Sequence, residues 1–151
     1  MNNQAVGKII NDELDILLND IFESLYKNNR VATGKTAKSL KVVMDIKADI
    51  IKGTLLGSSV LEQLEYGRGK TKNGTRGNSE WFKDLLNWVR LKTDKPDGFA
   101  YYLFKRINEE GYKGTPGLIS NPIDKFRSRI SKRLKAEVIK DFKRNGVNGN
   151  R

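Results

Sequence analysis

Between Lys8 and Asn28 the apolar residues Ile10, Leu14, Leu17, Leu18, Ile21, Leu25 and Tyr26 recur at intervals of three and four. That period predicts a long helix with one buried stripe. Its acids fall early and Lys27 late, as the helix dipole prefers, and Asn28-Asn29 ends it. The period then shortens to two. Leu40, Val42, Met44 and Ile46 alternate with Lys41, Val43, Asp45 and Lys47, the pattern of a half-buried strand. After Lys47-Ala48-Asp49 the β-branched run IIKGTLLGSS predicts the second arm of a hairpin. Gly53 and Gly57 within it imply a bulge or a close backbone approach.

Helical spacing returns further on. VLEQLEY (60–66) reads as a short helix or a last strand, and SEWFKDLLNWVRLKT (79–93) as a helix. Ser79 is its expected N-cap, and Trp81, Leu85, Trp88 and Val89 its apolar face. Pro96-Asp97 interrupts the chain before GFAYYLFKRINEE, whose stripe is Phe99, Leu103 and Ile107 and whose stop is Gly111. Tyr101 and Tyr102 flank that stripe, so at least one should meet solvent or a partner. Tyr112–Pro122 is too rich in Gly and Pro for a helix or a central strand. A last helix is expected over 123–144, with Pro122 in its first turn and Asn145-Gly146 at its end. Ile123, Phe126, Ile130, Leu134, Val138 and Phe142 make its stripe.

These elements predict an α+β fold: a small hairpin-based antiparallel sheet packed with a long N-terminal helix and three further helices, the last long and basic. The 151 residues fit a single domain, 1–151, with 145–151 a tail that is flexible unless a partner orders it. There are no cysteines and no histidines, which removes disulfides, thiolate nucleophiles, Cys/His zinc sites and the commonest general base. No apolar run approaches the roughly 18 residues of a membrane span. The start MNNQAVGKIIND lacks the plan of a signal peptide, so a soluble protein made in the cytoplasm is expected.

The net charge of +11 is unevenly spread. Nearly all of the excess lies in GRGKTKNGTRG (67–77), with four basic residues and no acid, and in 123–144, with nine basic residues against three acids. Such concentration fits a face turned to a polyanion, and equally a solvated face that keeps the chain soluble. The tripeptide GKT occurs at Gly34–Thr36 and Gly69–Thr71. A phosphate loop also needs glycine five positions before its final Gly-Lys pair, where these copies have Asn29 and Leu64. The acids Asp45, Asp49, Glu62, Glu65, Glu80 and Asp84 are scattered; Glu62 and Glu65, three apart, could share a helix face, but no partner stands at motif-like spacing from them. That is thin support for metal-dependent phosphodiester chemistry. Trp81 and Trp88, seven apart on the stripe with Leu85, read as core rather than as a platform for bases.

The segments LEYGRG, WFKDLLNWVRLK and FAYYLFKRINEEGYKGTPGL, between Leu64 and Leu118, resemble the small neck proteins of tailed phages, the tail-completion or head–tail joining type. Glu65-Tyr66-Gly67 matches an acid–aromatic–Gly turn, Trp88 the following helix, and Ile107–Gly114 a closing Gly-x-Lys-Gly turn. The usual prolines of the variable loop are replaced by KTKNGTRG, and the C-terminal helix is longer and more basic, which leaves the neck layer open. The resemblance implies a non-catalytic virion protein without cofactor, metal or small-molecule ligand. It would form a homo-oligomeric ring against portal, adaptor or tail-tube rings, with nonspecific contact to packaged DNA and none to membrane. The alternative is a nucleic-acid-binding module using 67–77 and 123–144.

A ring needs two different surfaces per subunit. One candidate is the acidic N-terminal helix, with Asp12, Asp15, Asp20 and Glu23 beside Glu13. The other is the basic set Arg127, Arg129, Lys132, Arg133 and Lys140, joined by Arg68, Lys70, Lys72 and Arg76 from the loop; these face a subunit or DNA. Alternatively the basic helix lines the channel and subunits join through the hairpin edge. Replacing Lys70, Lys72 and Arg76 by serine should leave the urea midpoint unchanged, since a polar glycine-rich loop buries little. The same triple change should impair particle assembly or genome retention. Normal infectious particles would show that these charges only solvate the chain.

Overall fold

A computed structural model describes residues 3–31, 34–47, 50–71 and 79–147, with the side chains of 79 and 145–147 not described. The expected α+β class is what it shows. Helix α1 (Asn3–Lys27) buries Leu14, Leu17, Ile21 and Leu25. A single turn, α2 (Lys35–Lys38), contains the first GKT copy's Lys and Thr, and buries Ala37. Strands β1 (Lys41–Ile46) and β2 (Ile51–Leu56) pair antiparallel from Lys41↔Leu56 to Ile46↔Ile51. VLEQLEY is a helix, α3 (Val60–Tyr66). After the two-residue strand β3 (Gly67–Arg68) come α4 (Ser79–Lys92) and α5 (Gly98–Glu110). A matching strand β4 (Tyr112–Lys113) precedes the long α6 (Ser120–Val147).

The core lies between α1, α6 and the hairpin. Leu14, Leu17, Ile21, Leu25, Leu40, Leu61 and Leu118 form its buried cluster, with Ile123 and Phe126 of α6 packed against it. The hairpin comes close to α1 because Gly53 has no side chain. A Cβ there would run into Leu14 Cδ1 and stand 3.0 Å from Ile10 Cγ2 and 3.2 Å from Met44 Sδ. Helices α4 and α5 pack on each other, burying Val89 and Ala100 completely, with Trp81 and Phe82 against the Phe104 ring. Trp88 is only half-buried, so Val89 takes the innermost place on the expected face.

Several expectations need correcting. Tyr26 is exposed, because at 100° per residue it stands well round the helix from Leu14 and Ile21. Phe142 is 75% exposed although it continues the α6 stripe in sequence. The steps Ile130, Leu134, Val138, Phe142 are all of four residues, and each overshoots a full turn by roughly 40°. Three steps turn Phe142 about 120° away from Ile130, out of the core. Ile46 at the hairpin tip is also exposed. The last helix begins at Ser120 and runs to Val147, past Asn145-Gly146. Within Tyr112–Pro122, where no central strand is expected, Tyr112–Lys113 forms a two-residue strand of a short ladder. The expectation that at least one of Tyr101 and Tyr102 meets solvent holds, for both are exposed. The side chain of Ser79, the expected cap, and the hairpin residues 48 and 49 are outside what the structure describes.

Gly53→Val should lower stability by about 1–3 kcal/mol, since the core must shift to admit the new side chain. Gly98→Ala, where an added Cβ meets nothing within 4 Å, should be neutral or slightly stabilising. Urea denaturation of both variants checks the contrast, and equal midpoints would disprove the close approach.

Candidate functional site

Two buried carboxylates organise the polar chemistry. The first, Glu65, is on the last turn of α3 and is 3% exposed. Its Oε1 accepts from Gly117 N at 2.9 Å and Ser120 Oγ at 2.6 Å, and its Oε2 from Ile119 N at 2.5 Å. The carboxylate therefore sits at the start of α6, where the helix dipole favours negative charge. Burial alone would push this carboxyl up, but the donors of Ser120, Ile119 and Gly117 outweigh it and hold it below the ordinary value of 4.5.

Around Glu65, segments distant in sequence close on one another. Helix α3 ends at Gly67 (φ 85) and α5 at Gly111 (φ 77), both in the region that side chains disfavour. Each glycine turns its helix directly into a strand, and the two strands pair, Gly67↔Lys113 and Arg68↔Tyr112. Gly114 then passes so close to α3 that a Cβ on it would overlap the Glu65 carbonyl. Thr115 N donates to Leu64 O at 2.8 Å, and Arg30 holds Thr115 Oγ1 from Nε and Nη2. On the other side of the ladder Arg68 donates to Thr71 Oγ1 at 2.7 Å and lies 5.1 Å over the Trp81 ring. Thr71 N donates to Asn108 O, tying the start of the basic loop to α5.

The second buried carboxylate, Glu13, is 2% exposed between α1 and α6. Arg129 Nε reaches its Oε2 at 2.9 Å and Arg133 Nη1 its Oε1 at 3.0 Å. Arg129 also pairs with Asp20 at 2.9 Å and Arg133 with Asp12 at 3.3 Å. Burial raises the Glu13 carboxyl, while hydrogen bonds and charge from Arg129 and Arg133 lower it further, leaving it below 4.5. Here the sequence expectation is corrected: the opposite charges of Asp12, Asp20, Arg129 and Arg133 meet within one chain. The antiparallel packing of α1 and α6 brings positions 12, 13 and 20 beside 129 and 133 before any neighbour is involved.

The remaining candidates are dispersed. Asp15 is exposed and accepts from Asn11 Nδ2 at 3.1 Å, and Glu23 is exposed. Arg127 pairs with Asp124 at 3.4 Å and Lys140 with Glu137 at 3.9 Å, while Lys132 and Lys70 are exposed. Lys72 and Arg76 lie outside the described residues. Glu62 and Glu65 do not act together, since Glu62 is exposed and the Glu65 oxygens are taken. Among the described residues no three carboxylates are grouped to hold a metal ion, and no helix is long and apolar enough to cross a membrane.

A groove of about 510 Å³ opens beside the Glu65 junction, between the end of β2, α3 and the first turns of α6. Leu40, Leu55, Leu56, Leu61 and Ile123 line it, and Glu62 and Asp124 stand at it. With Glu13 and Glu65 held charged and burial pushing the Tyr112 phenol up, each keeps its ordinary protonation state at neutral pH. Compared with protein-family models, curated proteins and solved structures, the chain matches none.

Because Glu13 and Glu65 are lowered, the unfolded chain takes up protons first as pH falls. Their contribution to stability is present above about 4.5 and drains away as pH drops through the folded-state values. Urea midpoints measured from pH 7 down to 3 should fall in that window. Arg129→Ala, which leaves Glu13 short of a donor, should cost about 3 kcal/mol at pH 7 and flatten the acid dependence. An unaltered profile would mean that the α1–α6 pairs do not support the fold.

Proposed function

We propose that the chain is a structural subunit of the head–tail connection of a tailed phage, assembling as a homo-oligomeric ring without catalysis. The observation that carries this reading is the convergence at the Glu65 junction. Gly67, which closes the Glu65-Tyr66-Gly67 turn, pairs with Lys113 of the Ile107–Gly114 exit, so two of the segments that carry the resemblance meet in one ladder although they lie far apart in sequence. The acid of that turn supports the start of α6, a scaffold role rather than a chemical one. The loop that leaves this ladder carries three basic residues, Lys70, Lys72 and Arg76, suited to an adjacent subunit or to packaged DNA. In the virion, portal, adaptor or tail-tube rings would be the neighbours.

A second reading, nonspecific nucleic-acid binding, is favoured by one feature. Lys125, Lys132 and Lys135 are exposed on the side of α6 turned away from the core. Sedimentation velocity and electron imaging of the purified chain separate the two readings. A ring subunit gives closed oligomers of uniform size, at salt concentrations that abolish DNA binding. A binding module stays monomeric or dimeric, and its affinity for DNA falls linearly on a log–log plot against salt. A monomer with that salt slope would replace the neck reading with the second.

A further inference from the structure

Helix α6 carries two unlike surfaces at its ends. Its first turns supply Ile123 and Asp124 to the groove beside α3. Near its other end Ile139 and Phe142 are exposed, the latter by 75%, at the i, i+3 spacing by which a helix anchors in an apolar groove. Lys135 and Lys143 flank that pair on the same side of the helix. The groove is apolar within and has the exposed acids Glu62 and Asp124 at its edge, with Arg127 on Asp124. Its volume, about 510 Å³, is within the roughly 300–1,000 Å³ of clefts that enclose ligands.

We infer that Ile139 and Phe142 of one copy dock in the α3–α6 groove of a second copy, with Lys135 and Lys143 against Glu62 and Asp124. The occupant must come from another molecule. Ile123 and Phe142 belong to one continuous helix and stand about 28 Å apart along it, so the far end cannot turn back into its own groove. Charge complementarity and the apolar anchors select a second copy over an acidic or nucleic-acid partner. A contact between different surfaces of identical chains is heterologous, and repeats until it closes into a ring or extends as a fibre. The inference rests on the self-association proposed above and names the surfaces that make it.

The cysteine-free chain makes single cysteines clean reporters. Full-length chains bearing Phe142→Cys or Leu56→Cys, with Glu62→Cys as a second groove position, are treated with a short bifunctional thiol crosslinker, alone and mixed. Crosslinked pairs should form in the mixtures and not with Phe142→Cys alone. Phe142→Asp should weaken self-association at least about tenfold in sedimentation. At dilutions where the wild-type chain is monomeric its thermal unfolding should match wild type, because the side chain is exposed. Crosslinking of Phe142→Cys to itself would overturn the proposal in favour of a self-facing dimer. A wild-type oligomer that neither crosslinks in the mixtures nor responds to Phe142→Asp would overturn this contact and leave the ring reading standing. A wild-type chain that stays monomeric at all concentrations would overturn both.

Discussion

A carboxylate withdrawn from water between two helices has to be met by donors fixed in place, and Glu13 imposes that demand on this fold. Arg129 and Arg133 meet it from successive turns of α6 and extend to Asp20 and Asp12 on either side. Such a pair of forks tolerates little sliding, so it fixes the register of the two longest helices as well as their antiparallel sense. Apolar packing by Leu14, Leu17 and Ile21 is less particular about register. The ionic seam therefore specifies more than it stabilises, since desolvation offsets much of the Coulomb attraction.

The seam also decides which surfaces remain for other molecules. With four of the expected interface charges engaged inside the chain, complementarity between a whole acidic helix and a whole basic helix no longer drives association. Among the described residues of these elements, what is left exposed is a set of lysines, Gly69 and Lys70 at the start of the basic loop, and Ile139 and Phe142 towards the far end of α6. The Glu65 junction performs the parallel task for the middle of the chain. It ties α3, α5 and the start of α6 through two glycine turns, so the base of the basic loop leaves from a fixed ladder.

Much of the fold was legible in the sequence. The α1 stripe, the alternation of β1, the β-branched β2 and the Gly111 stop all express local periodicity or turn chemistry, which act over a few residues. The β3–β4 ladder was not legible, because two-residue strands have no period and their pairing depends on where two helices happen to end. The exposure of Phe142 was hidden for another reason: spacing by fours resembles a stripe until the accumulated rotation is counted. The ionic seam left a usable trace. Glu13 adjoins the apolar positions Ile10, Leu14 and Leu17, and an acid beside a buried stripe calls for a cation on the facing helix. Arg129 and Arg133, four apart beside Phe126 and Ile130, were the cations available. The burial of Glu65 had no such signal, since its donors are mostly backbone groups of a Gly/Pro-rich segment.

In the proposed contact, fold and assembly would draw on different residues of the same helix. Ile123 and Phe126 pack against the core, and Arg129 and Arg133 set the register. Ile139, which stands off the stripe, and Phe142, turned out of the core by the drift of its spacing, contribute little to the stability of a lone subunit. Their exposure is a liability in a monomer, and lysines around them limit nonspecific collapse. An arrangement of this kind lets a subunit fold completely before it meets a neighbour, because no core residue waits for the contact. Association through Ile139 and Phe142 would then respond to local concentration more than to folding.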